Sequence, residues 1–273
     1  MDRKELPYLV VLALPVVIVS LAFFLLPMAR LAFIAGSGED GWAAYTSVLT
    51  TPRYLESVIA TTLLAGITTI VTLVIATIAG LFLERNRFVG RDMLISLLTF
   101  PLAFPGVVVG FMVILLAGRQ GLIGQITKAL TGDKLIFAYS IAGLFVGYVY
   151  FSIPRVILTI MAAAEKLDIA LEEAARSLGA SPWQVVRDVI LPALTPALIA
   201  SGAIAFATAM GAFGTAFTLA TNIDVLPMTI YTEFTLRANI ATAAALSIVL
   251  GIITWLVLNI ARSLAGNTVA AAG

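Results

Sequence analysis

Residues 165–192 read EKLDIALEEAARSLGASPWQVVRDVILP and form the longest charged segment of a chain that is 61% hydrophobic and only 11% charged. The order of residues specifies two short helices. Asp168 stands where an N-cap belongs, Glu172 and Glu173 follow within two turns, and Arg176 comes near the end. The charges therefore run with the helix dipole. Glu172 and Arg176 are spaced i,i+4, which brings them together on one helix face. Gly179 falls where a helix ends in a left-handed residue, a conformation glycine adopts at little cost. Ser181-Pro182-Trp183-Gln184 restarts a helix at once: serine caps, proline takes the first helical position, and glutamine completes a capping box. On these local signals the segment is a solvated helical hairpin or a docking element, and nothing within it decides between them.

What surrounds the segment seeks lipid. A soluble domain carries about 25% charged residues to cover its surface, so the charge missing here must be replaced by lipid contact. A spanning helix needs about 20 mostly apolar residues, because the hydrocarbon core is about 30 Å thick. Six stretches qualify: 9–33, 57–83, 94–116, 136–161, 193–220 and 241–261. Backbone groups in lipid must be bonded internally, so runs of this length are helices. The fold class is thus an all-α membrane protein with six transmembrane helices in one domain, residues 1–273. Pro15, Pro27, Pro101, Pro105 and Pro154 interrupt the runs, as membrane bundles tolerate. Gly106 with Gly110, Gly143 with Gly147, and Gly211 with Gly214 have spacings that let helix backbones pack closely.

Orientation follows from Lys and Arg near the span ends. With the amino terminus inside, nine lie on inner segments and six on outer ones, and the strongest cluster is Arg85, Arg87 and Arg91. Both termini and residues 162–192 then face the cytoplasm. Met1–Leu6 is short and charged, and the apolar run after it lacks a small-residue cleavage site, so it reads as a retained first span.

Composition closes off several functions. The chain has no Cys and no His, which removes disulfides, thiol and imidazole chemistry and the commonest metal ligands. A net charge of +1 points to no nucleic-acid partner. There is no phosphate-binding loop, so any ATP is handled elsewhere. An ion-coupled secondary transporter should show deep carboxylates or inverted repeats. Neither is visible, and a membrane enzyme lacks a catalytic constellation.

Arg155 is the charge placed deep in a span, about 15 Å of helix before Glu165. A mid-membrane arginine costs at least about 2.5 kcal/mol and so faces protein, water or a partner. It reads either as a residue of a translocation path or as a snorkelling side chain beside Pro154. Tyr148, Tyr150 and Phe151 line the same path or pack span four. Asn222, Asp224, Tyr231 and Glu233 form an outer loop, solvated or in contact with a partner.

Glu173-Ala174-Ala175, Gly179, Val189 and Leu191-Pro192 together resemble the EAA loop of binding-protein-dependent ABC importer permeases, with valine where the family prefers isoleucine. Trp42, Tyr45, Leu49, Ser57 and Thr61-Thr62-Leu63, and the Met210–Gly214 region, resemble the same family. The likeness covers residues 50–260 and sits nearest the spermidine/putrescine type. It implies the type I importer permease fold in a bacterial inner membrane. It also implies that Glu172, Glu173, Ala174, Ala175, Arg176, Gly179, Ala180 and Ser181 form a coupling helix seated in a cleft of an ABC ATPase. Two copies of that ATPase carry the ATP and Mg, and this chain holds no cofactor. The other implied partners are a sister permease chain and a periplasmic substrate-binding protein. Within such a complex this chain is a transporter subunit and not an enzyme. The implied cargo is a polyamine or related small organic cation; related branches carry aminoethylphosphonate, thiamine, ferric iron or molybdate.

Overall fold

All regular elements among the described residues are helical. The structure is a computed structural model describing residues 6–38, 41–219 and 223–265; Arg3 and Lys4, two of the nine cations counted on inner segments, and Asn222 of the outer loop lie outside them. In chain order the α-helices are α1 (Leu6–Ser20), α2 (Leu26–Gly36), α3 (Ala43–Thr50), α4 (Pro52–Arg85), α5 (Arg91–Thr99), α6 (Gly106–Ala117) and α7 (Leu122–Thr131). They continue with α8 (Ile141–Glu165), α9 (Ile169–Ser177), α10 (Pro182–Val185), α11 (Leu191–Met210), α12 (Phe213–Leu219), α13 (Leu226–Tyr231) and α14 (Ile240–Ala265).

Among the described residues, six helical stretches are long and apolar enough to cross a membrane: Val11–Gly36, Pro52–Arg85, Gly106–Thr131, Ile141–Glu165, Pro182–Met210 and Ile240–Ala265. Two differ from the runs read in the sequence. Run 94–116 is divided, because Pro101 sits in a 3-10 turn (Phe100–Ala103) and Phe104, just before Pro105, is extended at φ −98° and ψ 135°. A residue preceding proline is pushed out of the helical region, so α6 starts afresh after Pro105. Run 193–220 is displaced, since helix begins at Pro182 in the charged hairpin and stops at Met210 before Gly211.

Two prolines leave a local signature. Pro27 and Pro192 each follow a π turn, Leu21–Leu25 and Val186–Ile190, closed by Leu26 N–H to Leu21 O and Leu191 N–H to Val186 O. A proline ring clashes with the carbonyl four residues back, and the wider turn relieves that clash. The helix continues through both sites.

The chain divides into two compact units: Met1–Glu56 with Thr229–Ile252, and Ser57–Met228 with Ile253–Gly273. In the first, the Tyr45 hydroxyl donates to Ala32 O at 2.9 Å and ties α3 to α2. Glu233 is buried there between Arg237 at 3.0 Å and Arg53 at 3.6 Å. In the second, α6 and α12 meet closely. Thr215 and Thr218 donate their hydroxyls to Gly106 O and Val107 O at 3.0 and 3.3 Å. A Cβ on Gly110 would lie 2.6 Å from Thr218 Cβ, so the backbones approach only because that position is glycine.

The second unit also holds an apolar cluster at the end that bears the hairpin. Leu83 of α4, Ile157 and Ile160 of α8, Val185 of α10 and Leu194 of α11 are among its fully buried members. Removing one such side chain costs about 2–5 kcal/mol where the site cannot collapse. The hairpin therefore rests on a packed floor.

Candidate functional site

The hairpin forms by bonds that its own residues make. Asp168 Oδ1 accepts the Ala170 N–H at 2.9 Å and caps α9. At the other end Gly179 has φ +85°. Gly179 N–H donates to Arg176 O at 3.0 Å and Ala180 N–H to Ala175 O at 3.1 Å, the double closure that a left-handed glycine permits. The capping box is complete: Ser181 N–H donates to Gln184 Oε1 at 2.7 Å, and Gln184 N–H to Ser181 Oγ at 3.4 Å.

Two faces result. Glu173, Ala174, Arg176, Gly179 and Ser181 are exposed, and Leu178 and Trp183 beside them are 89% and 66% exposed. Ala175 and Ala180 are half-buried and pack on the apolar cluster. Glu172 is 5% exposed. Its carboxylate is ion-paired with Arg85 at the end of α4 and, at 3.5 Å, with Arg176. The eight hairpin residues singled out in the sequence thus split into an outward set and an inward set. Sequence reasoning placed the Glu172–Arg176 pair but missed Arg85, which lies 87 positions earlier. The available signal was the Arg85–Arg91 cluster on the same side of the membrane. Arg91 Nε donates to Leu83 O at 2.6 Å and its guanidinium pairs with Glu84 at 3.3 Å, which fixes the turn after α4.

The second candidate constellation lies on α8. Arg155 Nη1 donates to Thr208 Oγ1 of α11 at 3.1 Å, and the guanidinium stands 5.4 Å from the centre of the Phe151 ring. Among the described residues no carboxylate lies within ion-pair distance of Arg155. Tyr148, at helical spacing from Phe151 and Arg155, is buried with its hydroxyl on Ala212 O at 3.0 Å. Tyr150 projects from another face, and its hydroxyl reaches Met112 Sδ at 3.9 Å. The structure thus brings Phe151 and Arg155 together, uses Tyr148 to bond a neighbouring backbone, and sets Tyr150 apart.

The chain belongs to the family of binding-protein-dependent transport system inner membrane components, whose pattern matches residues 72–268. It is 35% identical over 199 residues to the sulfate transport system permease protein CysT of Salmonella typhimurium, covering 73% of this chain and 70% of that one. It is 31% identical over 206 residues to the molybdenum transport system permease protein ModB of Escherichia coli, covering 74% and 89%. A chloroplastic sulfate permease of Chlamydomonas reinhardtii is 34% identical over 203 residues, 72% of this chain but only 54% of that longer protein. A chain in the crystal structure of a bacterial alginate ABC transporter, in complex with an alginate-bound periplasmic protein, superposes with a TM-score of 0.82. That likeness holds at 18% identity over 96% of this chain and 94% of that one, and so speaks for the fold. The fold is that of a type I ABC importer permease, and the chain is a membrane-spanning permease subunit of such an importer.

Proposed function

We propose that this permease passes a tetrahedral oxyanion of the sulfate and molybdate class, and that an ABC ATPase docks on the exposed face of residues 173–181. The observation that carries the cargo reading is Arg155, a guanidinium inside span four with a hydroxyl and an aromatic ring beside it and no carboxylate partner among the described residues. Two unit charges 4 Å apart interact by about 4 kcal/mol at the effective dielectric of a partly solvated site. That sign favours an anion and opposes each charge of a polyamine. The relatives named for sulfate and molybdenum transport support the same choice over the polyamine expected from resemblance.

The docking reading rests on shape. The outward set offers a carboxylate at Glu173, a small residue at Ala174 and a tight glycine turn, flanked by Leu178 and Trp183. A helix entering a cleft needs small residues and apolar contact there, while Glu172, Ala175 and Ala180 hold the hairpin on its own bundle. The remaining partners are two ATPase copies that supply ATP and Mg, a sister permease and a periplasmic binding protein, with both termini of this chain cytoplasmic.

The test is uptake by proteoliposomes containing the permease, its ATPase and its binding protein. ATP-dependent accumulation of labelled sulfate or molybdate, with no competition from spermidine, is the expected result. Saturable spermidine uptake, unaffected by either oxyanion, would overturn the cargo reading.

A further inference from the structure

Glu172 is the one ionisable residue of the hairpin that the described structure buries, and it is turned away from the proposed docking face. Its two pairings are unequal. Arg176 is 61% exposed along its side chain, and its i,i+4 contact is the kind that water and salt weaken. Arg85 is 26% exposed, and its Nη2 meets Glu172 Oε1 directly. The buried Nε of Arg85 has no hydrogen-bond partner among the described residues, so Glu172 is what orients this guanidinium there. The base from which Arg85 projects is itself held, because Arg91 bonds the carbonyl of Leu83 and pairs with Glu84.

The hairpin is joined covalently to α8 and, through α10, to α11. Its tie to α4 is different in kind: side-chain packing on the cluster that includes Leu83, and this ion pair. We infer that Arg85 and Glu172 form a transmission pair that makes the hairpin and the cytoplasmic end of α4 move as one piece. A displacement imposed on the exposed face of α9 then reaches α4 together with α8 and α11. Arg85 is a positioning residue in this scheme, acting through Glu172 and not by touching the ATPase. The inference rests on the docking reading above.

The experiment uses the reconstituted transporter and compares wild type, R85K, R85E and the exchanged pair R85E/E172R. Two quantities are read: co-purification of the ATPase, and solute taken up per ATP hydrolysed. R85E is expected to keep the ATPase bound yet lower uptake per ATP about tenfold, since it breaks a largely buried pair and sets two carboxylates together. R85K retains the charge and should stay near wild type, and the exchanged pair should recover most of the loss. Uptake per ATP within about twofold of wild type in R85E would overturn the inference, because a transmitting pair of this burial cannot be broken silently. So would failure of the exchanged pair to recover. Loss of ATPase binding in R85E would also overturn it, because the pair would then shape the docking face itself. If the wild-type complex bound no ATPase at all, the docking reading would fall first and the inference with it.

Discussion

Tyr148 and Ala212, 64 positions apart, are joined by a 3.0 Å hydrogen bond from phenol to backbone carbonyl. Ala212 lies in the break between α11 and α12, where the helical ladder stops at Met210 and resumes at Phe213. A carbonyl released at such a break must find a donor or remain unsatisfied in an apolar setting. Tyr148, itself buried on α8, supplies it.

Tyr148→Phe should therefore lower stability by about 1–3 kcal/mol while keeping the packing of the ring, because only the buried acceptor is orphaned. Thermal denaturation of the purified complex in detergent measures this. An unchanged midpoint would mean that Ala212 O is satisfied some other way.

Gly110→Ala should force α6 and α12 apart, since its Cβ would stand 2.6 Å from Thr218 Cβ. Overpacking of this kind costs about 1–3 kcal/mol, and accumulation in the membrane should fall accordingly. Gly66→Ala is the control: nothing lies within 4 Å of a Cβ there, and the variant should accumulate normally.

Gly179→Val tests the hairpin turn. The backbone sits at φ +85°, where a β-branched residue is strained by about 1–3 kcal/mol. Nothing lies within 4 Å of its Cβ, so the bundle should insert and accumulate while co-purification of the ATPase is lost. Ala174→Trp challenges the same face by bulk alone, at an exposed position, and should act likewise. Normal ATPase binding by both variants would remove the hairpin as the docking element.

Arg155→Ala should reduce oxyanion uptake at least about tenfold, the loss expected for a charge-assisted contact worth about 1.5–3 kcal/mol, with ATPase association intact. Arg155→Lys keeps the charge without the planar fork and should fall between the two. A fall in assembly with normal uptake per assembled complex would mark Arg155 as structural.

Single cysteines report topology without background, because the chain has none of its own. Ser181→Cys should react with an impermeant thiol reagent only from the cytoplasmic side, and Ser37→Cys only from the periplasmic side. Both positions are exposed in the chain itself, and Ser181→Cys is labelled in membranes without the ATPase, so that a docked partner does not cover it. Labelling of Ser181→Cys in intact cells would reverse the orientation.

The hairpin was readable in advance down to single hydrogen bonds. Asp168, Gly179, Ser181 and Gln184 each act on backbone groups within five positions, and short-range capping needs no knowledge of the rest of the chain. The breaks in the third and fifth runs were not. Pro101 and Pro105 were visible in the sequence, yet membrane helices carry prolines such as Pro15 and Pro154 without breaking. Whether a helix bends or stops depends on who satisfies the freed carbonyls, and that is a neighbour's property.

The sequence by itself determined that this chain is helical and membrane-spanning, and that a capped, charged hairpin stands between two of its spans. Apolar length, helix caps and turn glycines are local quantities. Only the tertiary structure decided that Glu172 turns inward to Arg85, that Tyr148 serves a backbone carbonyl, and that Arg155 meets Thr208. Each of these joins helices through side chains 53 to 87 positions apart. In a bundle where lipid is as apolar as the helix faces, hydrophobicity cannot specify which faces meet. Close packing and a few polar contacts choose the partners, and those contacts exist only once the helices are side by side.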